Sequence, residues 1–222
     1  MGKRNERRRN GMITAWLVCV VMLVSSVAYA QDAESILDNT ASAYEGSGGI
    51  SASFTMNTYS ETQHTGESFE GTVQMRGDKF VLKTPDMVTW YDGKTQWTYV
   101  RRSEEVNVTT PTGDELRFTN PGLLIRSYKK DFTATYIGES TSSNGKMADD
   151  VELIPKKKGN IVKVTLQIER YTSVPTRIMV TAKNGMSTTV HVSEVVTGLY
   201  QSDDLFVFKE ADYPNAEVID LR

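Results

Sequence analysis

The sequence contains one cysteine, Cys19, and two histidines, His64 and His191. Cys19 lies in an apolar run near the N-terminus, so we expect no disulfide in the domain that follows, and its core must stabilise it. Two histidines are too few for a histidine-rich metal site, and we predict neither a metal nor another cofactor. These absences leave apolar packing as the source of stability.

Catalytic signatures are also missing. The sequence has no G-x-S-x-G motif, the turn that presents a nucleophilic serine. His64 lies in a polar segment and His191 in a predicted strand, and a surface histidine is the ordinary interpretation of both. The paired carboxylates are adjacent residues, whose side chains diverge on a strand or loop. We therefore predict that the protein is not an enzyme.

No apolar run has the roughly 20 residues that a membrane-spanning helix needs. The run Met12–Val24 follows five basic residues and precedes the small-residue site Ala28-Tyr29-Ala30. This order is typical of a secretory signal peptide. We predict cleavage after Ala30 and one mature domain over residues 31–222. An uncleaved membrane anchor is the alternative.

The predicted mature domain has no excess of positive charge. Removing five basic residues and Glu6 leaves 20 basic and 27 acidic side chains, a net charge of −7. Domains that bind nucleic acid are usually basic, and anionic lipid headgroups attract basic surfaces. The charge therefore argues against both kinds of partner.

Period-two alternation dominates the mature sequence. Residues 31–44 show helical spacing, and alternation begins at Ile50, predicting five or six antiparallel strands in the first half. Thr119–Tyr128 predicts a short helix over the sheet, and six further strands follow, the last at Leu205–Phe208. The predicted fold class is mainly β (α+β), a strongly curved antiparallel sheet of about ten or eleven strands with helices on its concave side.

The segment Val88–Val100 carries the clearest local signal, two β-rich runs joined by Asp92-Gly93. Asp-Gly between such runs predicts a hairpin with a two-residue turn, which would place Trp90 opposite Thr95. Large apolar groups then share one face of the hairpin: Val88, Trp90, Trp97 and Tyr99. That face is either part of a solid core or the wall of an apolar pocket.

Methionine is frequent on or near the predicted strands, and its flexible side chain suits adaptable contact surfaces. These residues either fill an ordinary core or line a cavity for varied chains: Met56, Met75, Met87, Met179 and Met186. Composition alone favours neither alternative.

The most specific motif is D-G-K-x-x-W-x-Y over Asp92–Tyr99. Weaker matches follow the same order: Phe54-Thr55-Met56, Gly71–Arg76, Phe80, Trp90, Asn120–Ile125 and Phe206–Phe208. Together they resemble the periplasmic outer-membrane lipoprotein carrier family of the LolA type, over nearly all of residues 31–222.

The resemblance implies an incomplete β-barrel closed by a helical lid. It also implies a monomeric periplasmic chaperone that takes acylated lipoproteins from an inner-membrane ABC exporter. Such a carrier shields the acyl chains and delivers its cargo to the outer membrane, in some cases to an acceptor there. The alternatives are a regulator that senses lipoproteins on the same half-barrel and a generic lipid-binding protein. Such regulators usually carry a second domain, which we do not expect in a sequence ending at Arg222.

The resemblance and the alternation together give the candidate site. The predicted lipid-binding cavity comprises Phe54, Met56, Phe69, Val73, Met75, Phe80, Leu82, Val88, Trp90, Trp97 and Tyr99. The predicted lid and lid contacts comprise Ile36, Leu37, Tyr44, Arg76, Leu123, Leu124 and Ile125.

Arg76 and Phe80 have the spacing of a family arginine that holds the closed state and a phenylalanine at the cavity mouth. The family usually has a proline after the arginine and a tryptophan two residues after the phenylalanine; Gly77 and Leu82 stand there instead. The alternative role for Arg76 is to keep an edge strand from pairing with other chains.

Overall fold

The structure, a computed structural model, describes residues 33–112, 116 and 121–222. The predicted signal peptide and its cleavage site lie outside the described residues, as does the start of the second predicted helix. Helix α1 covers residues 33–46, and helix α2 is Pro121–Asp131.

The described strands form one sheet. Alternation of polar and apolar residues, with glycine or polar turns between runs, accounts for them. Their bounds are β1 Gly49–Ser60, β2 Thr65–Arg76, β3 Lys79–Lys83, β4 Met87–Tyr91, β5 Gln96–Val100, β6 Glu105–Thr109, β7 Phe132–Thr141, β8 Met147–Pro155, β9 Ile161–Glu169, β10 Pro175–Ala182, β11 Met186–Leu199 and β12 Glu217–Asp220.

The strand order is β12-β6-β5-β4-β3-β2-β1-β11-β10-β9-β8-β7, and the curved sheet does not close into a barrel. Two antiparallel meanders, β1 to β6 and β7 to β11, join where β1 pairs with β11. The predicted fold class is therefore confirmed, with 12 strands in place of about ten or eleven. The additional strand β12 is parallel to β6, an arrangement that local alternation does not predict.

One prediction about the C-terminal region is wrong. Leu205–Phe208 is not a strand, because Asp203–Phe206 forms a short 3₁₀ helix. A second 3₁₀ helix follows at Glu210–Asp212. The Phe206 side chain is completely buried, so its packing against the sheet decides the local conformation.

Helices α1 and α2 cover the same face of the sheet, which we call the inner face. Leu37 of α1 and Ile125 of α2 pack against Leu153, Val164 and Leu166 on the second meander, and all five are nearly or fully buried. Tyr44 extends this packing to a smaller cluster on β1–β4. The inner face therefore contains the main core.

The opposite face, which we call the outer face, is covered by the C-terminal segment over residues 203–213. Its side chains pack on the hairpin β4–β5, where the Trp90 ring lies 5.5 Å from both Phe208 and Tyr213. Tyr213 also lies 4.6 Å from Tyr99. The aromatic face of the hairpin is thus part of a second, separate core.

The hairpin register differs from the predicted one. Trp90 pairs with Trp97, and four residues, 92–95, form the turn. The Asp92 carboxylate accepts hydrogen bonds from the backbone N–H groups of Lys94 and Thr95, at 2.8 and 2.7 Å, which favours the longer turn. A shift of two residues preserves the faces, so the predicted grouping of the large side chains remains valid.

Gly71 of β2 lies directly beneath the Phe54 ring. A Cβ at Gly71 would lie 2.4 Å from the Phe54 ring and 2.6 Å from the Lys83 carbonyl oxygen. We expect Gly71→Ala to lower the free energy of unfolding by about 1–3 kcal/mol, because overpacking displaces both groups. Chemical denaturation measures this. Gly159→Ala, where a Cβ meets nothing within 4 Å, is the control and should change it by less than about 0.5 kcal/mol.

Candidate functional site

Strand pairing places seven of the predicted cavity residues on the inner face. Met56 lies opposite Phe69, Met75 lies opposite Phe80, and the side chains alternate along each strand. The seven are Phe54, Met56, Phe69, Val73, Met75, Phe80 and Leu82. Phe54 packs edge-on against Phe69, with ring centroids 6.4 Å apart. β1, β2 and β3 therefore form one apolar wall.

The other four predicted cavity residues lie on the outer face, so their assignment to this wall is wrong. Phe80 pairs with Tyr91, and Val81 pairs with Trp90, which puts Trp90 on the face away from Phe80. By the same alternation, the other three predicted residues of the hairpin share the outer face with Trp90: Val88, Trp97 and Tyr99. The aromatic face of the hairpin is therefore on the same side of the sheet as Val81, and the C-terminal segment covers that side.

The structure places all six predicted apolar lid residues against the inner face. Five of them, on α1 or α2, each pack on one of the two inner-face clusters: Ile36, Leu37, Leu123, Leu124 and Ile125. The sixth, Tyr44, contacts both clusters, and burial raises the pKa of its phenol above the ordinary value. We call α1 and α2 together the lid.

Arg76 does not contact the lid, which corrects the prediction. It alternates with Met75, so its side chain lies on the outer face. Its guanidinium donates to the Gln201 carbonyl and the Asp203 carboxylate and lies 5.5 Å from the Phe206 ring centroid. Arg76 therefore holds the C-terminal segment against the sheet.

The ion pairs of Asp203 give a pH dependence. The hydrogen bond and charge of Lys79, followed by those of Arg76, lower the pKa of Asp203. A lowered folded-state pKa adds stability above the ordinary aspartate value of about 4, and this stability disappears as pH falls through the lowered pKa. We expect Asp203→Asn to melt below the wild type at pH 7, and the two melting temperatures to converge toward pH 2. A pH-independent difference would show that packing, not charge, makes Asp203 important.

Polar contacts attach the lid at its edges. Arg126 of α2 pairs with Asp78 in the β2–β3 turn. Within the lid, Lys129 Nζ lies 2.8 Å from Asp38 Oδ2, and the Tyr128 hydroxyl donates to Asp38 Oδ1 at 3.3 Å. Burial, followed by the Asp38 charge, raises the pKa of Tyr128. These contacts are partly exposed and stabilise the lid much less than its apolar side does.

The lid packs on the inner face, over the expected hollow. Between the lid and the β1–β3 wall lies a cavity of about 180 Å³, lined by Tyr44, Ile50, Met75, Gly122 and Arg126 among others. Because the described helices α1 and α2 pack on the inner face, acyl chains would reach that face only after the lid moves.

Sequence reasoning missed half of the inner face. Ile50 and Tyr91 complete the β1–β4 side of the wall, and neither was among the predicted cavity residues. The second meander adds Phe132, Val151, Leu153, Val164, Leu166, Ile168 and Ile178. Their alternation was visible in the sequence, but no motif of the resemblance fell on them.

Two features are absent from the described part of the chain. None of the helices described there is long and apolar enough to cross a membrane. Over the same residues, no group of three or more His, Cys, Asp or Glu side chains could hold a metal ion.

The comparisons with known proteins agree with this architecture. The structure resembles an uncharacterized conserved protein from Thermus thermophilus, with a TM-score of 0.59 and 14% identity, over 85% of this chain and 99% of the other. This similarity supports the fold. Two weaker similarities, both at 11% identity, are a DUF1329 family protein from Desulfovibrio piger and a putative outer membrane lipoprotein-sorting protein domain from Vibrio parahaemolyticus. The first has a TM-score of 0.49 over 83% of this chain and 99% of the other, and the second 0.46 over 80% and 97%.

A search of characterised sequences found no match. The family model described as outer membrane lipoprotein carrier protein LolA matches residues 23–185, which is well over half of the sequence. The matched range includes the lid, the β1–β3 wall and most of the second meander. The chain therefore belongs to the LolA family of outer membrane lipoprotein carrier proteins.

Proposed function

We propose that this protein is a periplasmic carrier that shields the acyl chains of lipoproteins and moves them from the inner to the outer membrane. The chains would bind the inner face after the lid moves aside. In this proposal the protein is a monomer that binds and releases its cargo without catalysing a reaction. An inner-membrane ABC exporter would supply the cargo, and an outer-membrane acceptor would be a further partner.

One observation carries the proposal: a continuous apolar face of an open sheet is covered by two short helices. An apolar wall beneath helices that could move aside suits reversible binding of an apolar ligand. Membership in the family supports the general part of the proposal, binding of lipoprotein or lipid in the periplasm.

The β1–β3 wall is the better candidate for first contact with acyl chains. The second meander packs tightly on the lid through residues such as Val151 and Leu166, which are completely buried. Around the β1–β3 wall the packing is looser, because Met56 and Phe69 are only half-buried and the 180 Å³ cavity lies beside Met75. Chains that enter there would widen an existing gap.

The cost of exposing apolar surface to water explains why acyl chains need a carrier and why the lid covers the inner face when no cargo is bound. At about 0.8 kcal/mol per buried CH₂, three acyl chains of ordinary length represent on the order of 30–40 kcal/mol of gross burial. Opening the lid exposes apolar residues such as Leu37 and Ile125, which opposes binding and favours release. Without cargo, the lid replaces the chains and keeps the inner face from water.

A half-buried residue of the wall gives the test. We expect Phe69→Asp to weaken binding of a fluorescent triacylated lipopeptide at least tenfold, because a carboxylate would meet the acyl chains. Asn57→Asp is the matched control: residue 57 is exposed on β1, next to Met56 but on the outer face. Circular dichroism would show that both variants fold.

The outcomes differ clearly. Delipidated wild-type protein should take up the probe, and protein purified from its host should release acylated peptide or lipid detectable by mass spectrometry. If wild-type protein neither carries nor accepts acyl chains, the proposed function is wrong.

A further inference from the structure

Strand β11 extends well beyond its neighbour β10. The two strands pair from Thr181 opposite Ser187 to Arg177 opposite His191. β11 continues to Leu199 and pairs there with β1, through Ser193 and Val196. Among the described residues, the side of β11 that faced β10 has no strand partner after His191. The sheet is therefore split locally beside residues 192–197.

A cleft of about 640 Å³ occupies this split. β11 forms one wall, and the β9–β10 connection over residues 170–174 forms the opposite wall. The C-terminal end of α1 and the β7–β8 turn close the remaining sides. The strand edge is therefore enclosed in a groove, unlike the two outermost strands of the sheet.

The groove has no strong charge preference. Lys146 and Glu169 form an ion pair of 2.8 Å at its floor, and the Glu169 side chain is only 5% exposed. The Glu194 carboxylate accepts a hydrogen bond of 2.7 Å from Ser53. The apolar lining comes from Val174, Val192 and Val195. The remaining recognition element is the β11 backbone, whose N–H and C=O groups match an extended peptide of any compatible sequence.

The groove also adjoins the proposed acyl site. Ala43 of α1 lines the groove, while the next residue, Tyr44, packs on the inner face. A ligand with its acyl chains beneath the lid and a polypeptide attached to them could place that polypeptide along β11. Residues 193–197 span at most roughly 16 Å, because the register of β11 shifts at Glu194, where φ is 50°, and this is enough for a short peptide segment.

We propose that this groove binds the extended polypeptide next to the lipidated end of a cargo lipoprotein, as an added strand along β11. This inference rests on the proposed function, because the peptide is defined by its attached acyl chains. Backbone pairing explains how one carrier would accept lipoproteins of different sequence. It also predicts that proline in the bound segment is unfavourable.

Backbone methylation of the ligand provides the test. The probe is a fluorescent, dipalmitoylated hexapeptide, compared with two versions that are N-methylated at residues 2 and 4 or at residues 3 and 5. An added strand bonds its neighbour through alternate residues only. One methylated version should therefore bind about tenfold or more weaker than the parent, and the other should remain close to it.

Two protein variants test the position of the peptide. Val195→Trp would fill part of the groove and should lower the affinity for the parent probe about tenfold. The adjacent Val196, which is 50% exposed and does not line the groove, gives the matched control Val196→Trp, with an unchanged affinity. A dipalmitoyl lipid without peptide should bind both variants equally.

The results separate the two proposals. If the parent probe binds but both methylated versions match it and Val195→Trp behaves like Val196→Trp, the peptide groove is wrong and the carrier function stands. If neither the parent probe nor the peptide-free lipid binds the wild type, both proposals are wrong.

Discussion

A cross-link between the lid and the sheet is expected to reduce binding of an acylated probe by at least tenfold. Arg126 of α2 and Asp78 in the β2–β3 turn form an ion pair, so Asp78→Cys and Arg126→Cys place two thiols on either side of the lid boundary. A short, cleavable bifunctional thiol reagent would join them. With α2 fixed, acyl chains could not displace the lid from the inner face, on which Leu124 and Ile125 of α2 pack.

The experiment has favourable controls. The only native cysteine, Cys19, lies within the predicted signal peptide, so the mature domain would carry no competing thiol. Glu152→Cys with Lys163→Cys replaces another ion pair, of 2.8 Å, between β8 and β9 away from the lid, and its cross-link should leave binding unchanged. Cleaving the lid cross-link should restore binding. Full binding with the lid fixed would show that the inner face is not the acyl site.

Phe206→Ala is expected to lower the free energy of unfolding by about 3–5 kcal/mol without changing acyl binding. The Phe206 side chain is completely buried on the outer face, where it packs with Val81, Val88 and Trp90 and beneath the Arg76 guanidinium. Truncation leaves a cavity and loosens the C-terminal segment. Since this core is separated from the lid by the sheet, the folded variant should retain its affinity.

Phe80→Ala is the matched comparison. Phe80 is also completely buried, but it lies on the inner face, packed against Tyr91 with tilted rings whose centroids are 5.5 Å apart. Phe80→Ala should lower the free energy of unfolding by a similar amount, and it should also change the affinity for acyl chains. Denaturant titration and probe binding, measured below the unfolding transition, check both variants. Equal effects of Phe206→Ala and Phe80→Ala on affinity would contradict the assignment of the two faces.

Alternation predicted much of this structure because it depends only on neighbouring residues. It placed Phe54 with Met56, and Met75 with Phe80, on one face. The predicted hairpin register was wrong by two residues, but the side chains predicted to share a face with Trp90 do share it. Alternation does not show which face of one strand continues onto the next. That relation depends on the β3–β4 turn, and here it puts Tyr91, not Trp90, beside Phe80.

Long-range contacts account for the other errors. The role of Arg76 was carried over from spacing alone, whereas its partners, Gln201 and Asp203, lie more than 120 residues away in the sequence. Phe206 was predicted to lie in a strand because it alternates with Phe208. In the structure it ends a 3₁₀ helix, and its side chain packs on the outer face of the sheet. Neither relation leaves a local pattern.

Photo-cross-linking with a lipopeptide that carries a diazirine on its acyl chain tests the central claim most directly. The account predicts label on the inner face, at Phe54, Met56, Phe69 and Phe80, after digestion and mass spectrometry. It predicts none at Trp90 or Trp97 on the outer face. Label concentrated on the outer hairpin, or scattered over the surface without saturation, would contradict it.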